Sequence, residues 1–114
     1  MNEIRYIGPE GLGARVLNAA ALIEYQQSSI VSRTLIDKPT GTLTLFAFWE
    51  GQGLSEHTAP FDATALIIDG EALITVSGNP LHAKTGEMVI MPANQPHALK
   101  ATTRFKMLLI MIKD

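Results

Sequence analysis

Short apolar runs broken by turn residues make up the chain from residue 30 onward. The runs are rich in β-branched and aromatic residues, which is typical of strands. In one of them Thr44, Phe46 and Phe48 alternate with apolar neighbours, so both faces are apolar, as in a strand covered on both sides. The pattern predicts strands over residues 30–36, 42–49, 63–68, 71–77, 86–91, 97–100 and 104–112.

Turn residues separate these predicted strands. We expect turns at residues 38–41 and 77–80, where glycine and proline interrupt the apolar pattern. Asp69 and Gly70 predict a two-residue hairpin of type I′, because glycine accepts a positive φ and aspartate tolerates it. About eight or nine short strands with almost no helix predict an all-β sandwich or barrel.

The first 29 residues follow a different pattern. Residues 1–17 are rich in glycine and proline and predict an irregular lead-in. Asn18 is a candidate cap for one short helix over residues 19–24. The predicted organisation is a single domain, with an N-terminal arm over residues 1–29 and a barrel over residues 30–114.

Composition narrows the function classes. The chain has 114 residues, 46% of them apolar, and a net charge of −2 without a Lys/Arg cluster, so nucleic acid is not an expected partner. It has no cysteine, which excludes disulfides and thiolate chemistry and fits a cytoplasmic location. The longest apolar run, residues 107–112, is too short to span a bilayer. The charged N-terminus lacks the apolar stretch of a secretion signal, so we expect no membrane partner.

Two glycine-anchored segments carry the most specific signal. The first runs from Gly51 through His57 to Gly70, and the second from Gly86 through Pro92 to His97. Their spacing resembles the two motifs of the cupin superfamily, G-x5-H-x-H-x3-E-x6-G and G-x5-P-x-G-x2-H-x3-N. The four positions at which the chain departs from these motifs are Ala59 for histidine, Ala63 for glutamate, Asn94 for glycine and Ala101 for asparagine.

The resemblance covers roughly residues 30–112. Within the superfamily, the chain resembles small single-domain bacterial cupins of unassigned function. It implies a double-stranded β-helix, the RmlC-like jelly-roll barrel. In the family, three histidines and a glutamate converge on one divalent ion, so here His57 and His97 would remain as metal ligands while two alanines replace the others. The resemblance therefore implies zinc, iron, nickel or manganese as the candidate cofactor. The ligand set is incomplete, because such sites need at least three protein ligands.

A third ligand could come from a nearby oxygen donor. The candidates are Gln52, Glu56, Thr58 and Asp62. Strand parity turns Glu56 and Thr58 away from His57, which leaves Asp62 as the first choice. The alternative reading of His57 and His97 is a pair of hydrogen-bonded histidines in a barrel mouth. His82, in a short strand before Lys84, is expected at the surface.

Loss of the ligands leaves an apolar pocket, which is the composition of a small-molecule site. The residues predicted to line it are His57, His97, Phe46, Phe48, Ala59, Ala63, Phe105 and Met107, with Thr44 and Leu109 also facing inward. General acid–base catalysis has little support, because the orienting carboxylate is missing at Ala63. Whether the chain is an enzyme therefore stays open.

Three functions remain open. The first is a small-molecule-binding barrel with a degenerate metal site, and the second is a metal-dependent enzyme of dioxygenase or isomerase type that uses His57 and His97. The third is a structural barrel whose main role is self-association. A homodimer is expected in any case, because apolar residues at 43–45 and 108–110 lie on both faces of their strands.

Overall fold

A computed structural model describes residues 11–113. None of the helices in this range is long and apolar enough to cross a membrane. One short 3₁₀ turn precedes eight strands. The bounds are Ala19–Leu22 for the 3₁₀ turn and Ile30–Lys38 (β1), Gly41–Phe48 (β2), Gly53–His57 (β3), Asp62–Val76 (β4), Asn79–Lys84 (β5), Met88–Met91 (β6), His97–Lys100 (β7) and Phe105–Ile112 (β8).

The eight strands form two antiparallel sheets that share one strand. The first sheet has the order β1-β2-β8-β4-β6, and the second has the order β5-β4-β7-β3. The first half of β4 pairs with β6 and β8, and its second half pairs with β5 and β7. The two sheets therefore curl around one core, and the predicted jelly-roll fold is confirmed.

The predicted hairpin at Asp69 and Gly70 is wrong. Both residues lie inside β4, which continues from Asp62 to Val76 without a reversal. The pairing of β4 with β8 shifts by one residue between Ile67 and Asp69, so this point is a bulge at which the strand leaves the first sheet for the second. Gly70 has a φ of +78°. A side chain there would run into the backbone of Arg104, so the bend requires glycine.

The tight hairpin of this region lies eight residues further on. Ser77 and Gly78 have φ of 50° and 80°, the two positive values that a type I′ turn requires. They connect β4 to β5, and Val76 pairs with Asn79 across the turn. The predicted turns at residues 77–80 and 38–41 are both confirmed.

The inner faces of the two sheets form the main core. Phe48 stacks on Phe105 with ring centroids 4.5 Å apart and an angle of 9° between the rings. Met107 is buried in the same cluster, and Phe46 and Leu109 pack against it. These five residues face the interior as their alternation predicts.

The outer face of the first sheet is partly covered by residues 19–25. Ile23 is buried against Leu45 and Ala47, and Leu108 packs on the same cluster. The predicted helix over residues 19–24 is shorter than expected, a single 3₁₀ turn. The side chain of Asn18 does not cap it; instead the Asn18 carbonyl accepts the Ala21 amide at 3.0 Å.

Basic side chains of the barrel hold this covering segment. Lys106 Nζ donates to the Ala20 carbonyl at 2.7 Å, and an Arg33 guanidinium nitrogen donates to the Leu22 carbonyl at 2.8 Å. These bonds stabilise the segment, because it has no regular helix whose backbone amides would bind the same carbonyls. Residues 1–10, which belong to the predicted lead-in, lie outside the described residues.

Candidate functional site

Both ends of β4 lie beside the loop that precedes His97. Asp62 Oδ1 accepts the Ala93 amide at 2.8 Å, and the amide of Ser77, just after β4, donates to the Pro96 carbonyl at 2.8 Å. Ala63 lies seven residues before Gly70 and Val76 lies six residues after it, so the two arms have nearly equal length, about 20 Å. Ala63 ends the arm in the first sheet, and Val76, which pairs with His97, ends the arm in the second. The end of the barrel at this loop, with Ala63 and His97, is here called the mouth.

The two predicted histidines meet at this mouth. His57 ends β3 and His97 begins β7, and the two residues are direct cross-strand partners. Their ring centroids are 4.3 Å apart, with the rings at 68° to each other. His97 is buried with 6% of its surface exposed, whereas His57 is open to solvent. The imidazole of His97 is therefore part of the barrel interior, and that of His57 is accessible from solvent.

Backbone carbonyls orient both rings. His57 Nδ1 lies 2.8 Å from the Ser55 carbonyl oxygen, and His97 Nδ1 lies 3.2 Å from the Gln95 carbonyl oxygen. A carbonyl oxygen only accepts, so the proton of each neutral ring lies on Nδ1 and the lone pair on Nε2. In its neutral form, each ring therefore presents Nε2 as a hydrogen-bond acceptor for a ligand.

Ala63 belongs to a cross-strand row of four residues in the first sheet, here called the mouth row. Met91 pairs with Ala63, Ala63 with Met111, and Met111 with Thr42. Ala63, Met91 and Thr42 are buried, and Met111 packs on the same core. The Oγ1 atom of Thr42 is buried without a hydrogen-bond partner within residues 11–113. The sequence interpretation missed Thr42, whose place in the alternation of Thr44, Phe46 and Phe48 was the available signal.

The predicted pocket residues separate into two groups in the structure. Ala63 lies in the mouth row, and the Ala59 carbonyl accepts the Asn94 amide at 2.7 Å, which ties the loop before His97 to the start of β4. Phe48 and Phe105 are fully buried and lie at the opposite end, where Phe105 pairs with Gly70. Phe46 and Met107 are cross-strand partners between the two groups. The structure therefore brings the two histidines and Ala63 to one end, and the Phe48–Phe105 stack to the other.

Among the residues that the structure describes, no third carboxylate or imidazole joins the two histidines in a metal-binding group. Asp62, the first candidate, accepts the Ala93 amide on Oδ1 at 2.8 Å. Within residues 11–113, no group of three or more His, Cys, Asp or Glu side chains could hold a metal ion. Zinc and iron sites of proteins use at least three protein ligands. The residues present therefore do not fit the divalent ion that the motif resemblance implies.

A shallow groove lies on the outside of the barrel, between β5 and β6. Leu81, Met88, Val89 and Ile90 contribute apolar walls to it. His82 also lines this groove, exposed and 3.6 Å from a carboxylate oxygen of Glu71. The predicted surface position of His82 is confirmed.

The protein is a small β-barrel in which two sheets share one bent strand. Two imidazoles lie side by side at one end of this barrel. Comparison with known proteins names the family. The family model described as "Cupin domain" matches residues 44–113, more than half of the chain. The protein belongs to the cupin family.

Solved structures agree with this assignment. A conserved protein of unknown function from Streptococcus pyogenes is 33% identical with a TM-score of 0.91, and the match covers 99% of this chain and 98% of that one. A cupin superfamily protein from Desulfitobacterium hafniense is 33% identical with a TM-score of 0.84, covering 89% and 93%. A cupin 2 conserved barrel domain protein from Leptotrichia buccalis is 45% identical with a TM-score of 0.80, covering 82% of this chain but 46% of that one. A search of curated proteins finds no match.

Proposed function

We propose that this cupin binds a small molecule at the mouth of its barrel and does so without the divalent metal centre that the family motifs describe. The observation that carries the proposal is the His57–His97 pair, whose ring centroids are 4.3 Å apart. The Nδ1 atom of each ring lies beside a backbone carbonyl, so Nε2 is the acceptor of each ring in its neutral form. Two neighbouring acceptors beside apolar side chains are the composition of a site that fixes the orientation of an apolar ligand.

The mouth row supports the same proposal. A buried hydroxyl without a partner costs free energy, so Thr42 Oγ1 favours a bound polar group or a water at this position. Ala63, Met91 and Met111 present only apolar or weakly polar atoms. The chemistry of the ligand follows: a small, mostly apolar molecule that carries at least one hydrogen-bond donor for the imidazole nitrogens.

The experiment is a thermal-shift screen of small uncharged hydroxyl compounds in the presence of a chelator, followed by calorimetric titration of the compounds that stabilise the protein. We expect binding that survives the chelator and is lost in His57→Ala and His97→Ala. His82→Ala is the matched control, since His82 is exposed on the outer groove. Binding that the chelator abolishes would contradict the proposal and favour a metal-dependent enzyme, and binding unchanged in both mouth variants would also contradict it.

A further inference from the structure

Four strands lie at the edges of the two sheets, and β6 differs from the other three. Within residues 11–113, β1, β3, β5 and β6 each pair with a single neighbouring strand. An exposed strand edge promotes association, which proteins commonly prevent with charged side chains, proline or a bulge. β1 and β3 each carry charge and a shift in register, and β5 carries proline and lysine. The four residues of β6, Met88–Met91, have none of these protections.

The backbone groups of Met88 and Ile90 point away from β4. The Ile67 amide donates to the Glu87 carbonyl at 2.9 Å, and the Ile67 carbonyl accepts the Gly86 amide at 2.8 Å. These two bonds fix the alternation of the antiparallel ladder, in which every second residue faces the partner strand. The odd-numbered residues of β6 therefore face β4, and the amides and carbonyls of Met88 and Ile90 face the free edge.

The side chains of the same two residues are exposed. Met88 and Ile90 are 58% and 61% exposed, whereas Val89 packs against the main core and Met91 is buried. β6 therefore presents peptide groups and apolar side chains together at one edge, which is the arrangement that accepts an added strand.

We propose that the added strand is β6 of a second copy, antiparallel to the first and related to it by a two-fold axis at Val89. Met88 of each copy then lies opposite Ile90 of the other, and each such pair exchanges both of its backbone hydrogen bonds. The apolar side chains of Met88 and Ile90 cover one another on the same face, so the edge is complementary to itself. The first sheets of the two copies become one continuous sheet.

Charge does not oppose this pairing. Glu87, which precedes β6, is the charged residue closest to it in sequence, and its Oε1 atom accepts the Lys84 amide of its own chain at 2.8 Å. In the proposed register the two copies of Glu87 lie four positions apart along the strands, about 13 Å. This separation exceeds the screening length of about 8 Å at physiological ionic strength, so their repulsion is weak.

The test is amide hydrogen exchange of the intact chain, measured by NMR at several protein concentrations, with light scattering to give the mass. Where about nine-tenths of the chains are dimeric, the amides of Met88 and Ile90 should exchange about tenfold more slowly than in dilute protein, because only the free chains exchange. The free edge of β1 is the internal control, and exchange at this edge should not depend on concentration.

Ile90→Pro separates this pairing from the fold. Proline has no amide hydrogen, but the Ile90 amide faces away from β4, so β6 keeps its bonds to β4. We expect a folded single chain at concentrations at which the wild type and Ile90→Leu both have twice the chain mass. Thermal melts check that each variant is folded.

A cross-link reports the register without depending on the proline variant, because the chain has no cysteine of its own. In the proposed pairing Val89 lies opposite Val89 of the other copy, at a non-hydrogen-bonded position with Cα atoms about 4.5 Å apart. A disulfide can bridge this separation. Mild oxidation of Val89→Cys should therefore give a covalent dimer, whereas Ser32→Cys, at an exposed position of the β1 edge, should not.

A single-chain mass for the wild type would overturn the proposal. A dimer in which the amides of Met88 and Ile90 exchange as fast as in dilute protein, or in which Val89→Cys forms no cross-link, would also overturn it, because the copies would then join through another surface. Protection of the two amides in a single chain would assign the edge to an occupant within that chain, against the proposal. These measurements contain no ligand, so their outcome is separate from that of small-molecule binding.

Discussion

The hydroxyl of Tyr25 donates a hydrogen bond of 2.5 Å to Oδ2 of Asp69. This contact joins residues 19–25, which cover the outer face of the first sheet, to the bulge at which β4 changes sheets. Arg104 adds to the attachment, with its guanidinium carbon 4.1 Å from the Trp49 ring centroid and 5.5 Å from that of Tyr25. The attachment of the N-terminal segment therefore depends on polar and cation–π contacts as well as on the burial of Ile23.

Removing the Tyr25 hydroxyl should loosen this attachment. Tyr25→Phe is expected to lower the free energy of unfolding by about 1–2 kcal/mol, because the lost hydrogen bond reaches a charged acceptor. Denaturant unfolding at neutral pH measures the change. Asp37→Asn, at an exposed position of β1, is the control and should have no comparable effect. Equal stability of Tyr25→Phe and wild type would show that the contact is energetically neutral.

The same residue predicts a loss of stability at high pH. Burial, followed by the hydrogen bond to Asp69 and its negative charge, raises the pKa of Tyr25 above the ordinary value of 10.0. The folded state thus favours the protonated phenol, so this contribution is complete below pH 10 and is lost as the pH rises above it. Unfolding measured from pH 8 to 11 should fall more steeply for wild type than for Tyr25→Phe. Parallel curves would contradict this assignment.

Gly70→Ala tests the bend in β4. The new methyl group would collide with the Arg104 carbonyl and Phe105 while the backbone keeps a positive φ, so we expect a loss of about 3 kcal/mol or more. Gly78→Ala is a close control, because Gly78 also has a positive φ but open space around it. It should cost only about 1 kcal/mol. Similar losses in the two variants would indicate that the collision is relieved by a shift of the backbone.

Thr42→Val should separate stability from binding. It replaces a buried hydroxyl that has no partner by a methyl group of similar size, so the free protein gains about 1–2 kcal/mol. Thr44→Val is the control, since the Thr44 hydroxyl lies 3.4 Å from that of Thr34 and should give no such gain. A destabilised Thr42→Val variant would mean that a structural water satisfies the hydroxyl. The ligands found in the thermal-shift screen should bind Thr42→Val more weakly.

Restoring the two missing motif ligands should rebuild a divalent site. Ala59→His with Ala63→Glu supplies the absent imidazole and carboxylate, and without metal the buried glutamate lowers stability. Added zinc should then raise the free energy of unfolding by about 2.7 kcal/mol at a hundredfold excess over the dissociation constant. The wild type, measured in parallel, should shift much less. A wild-type shift as large as that of the variant would reveal a further ligand.

We propose that the protein is a homodimer. Its interface would use fewer apolar residues than the sequence suggested from residues 43–45 and 108–110. Leu45 and Leu108 are covered by the N-terminal segment. The outer ends of β6 and β8 keep exposed apolar residues, since Met88, Ile90 and Ile112 are 58%, 61% and 62% exposed. Light scattering should give twice the chain mass, and Met88→Lys with Ile90→Lys should give a single chain. Val16→Lys, at an exposed apolar position outside the sheets, should leave the dimer intact. A single-chain mass for the wild type would contradict the proposal.

The alternation of apolar residues was enough to predict most strands and the inward direction of Phe46, Phe48 and Met107. It failed at Asp69 and Gly70, because the same dipeptide suits a hairpin and a bulge. The outcome depends on pairing with residues 105–107, which lie more than thirty positions away. The length of the helix predicted over residues 19–24 was overestimated for a related reason. The conformation of this segment depends on the sheet that it covers.

Motif spacing correctly brought His57 and His97 together, because fixed gaps within strands set which residues share a face. It could not find the mouth row. Thr42, Met91 and Met111 lie on three separate strands, β2, β6 and β8, and each is an ordinary strand residue when viewed alone. Only the strand register, from β6 through β4 and β8 to β2, shows that they are neighbours.

The shared strand β4 also bears on how this barrel can change during evolution. Gly70, Phe48 and Phe105, which set the bend and the stacked core, lie at one end, and Ala63 and His97 lie at the other. Substitutions at the mouth therefore act at a distance from the bend and from the Phe48–Phe105 stack. A lineage could exchange glutamate for alanine, or one ligand set for another, while the glycine bend and the stacked rings stay in place. The bend and the ring stack can thus persist while the residues of the site change.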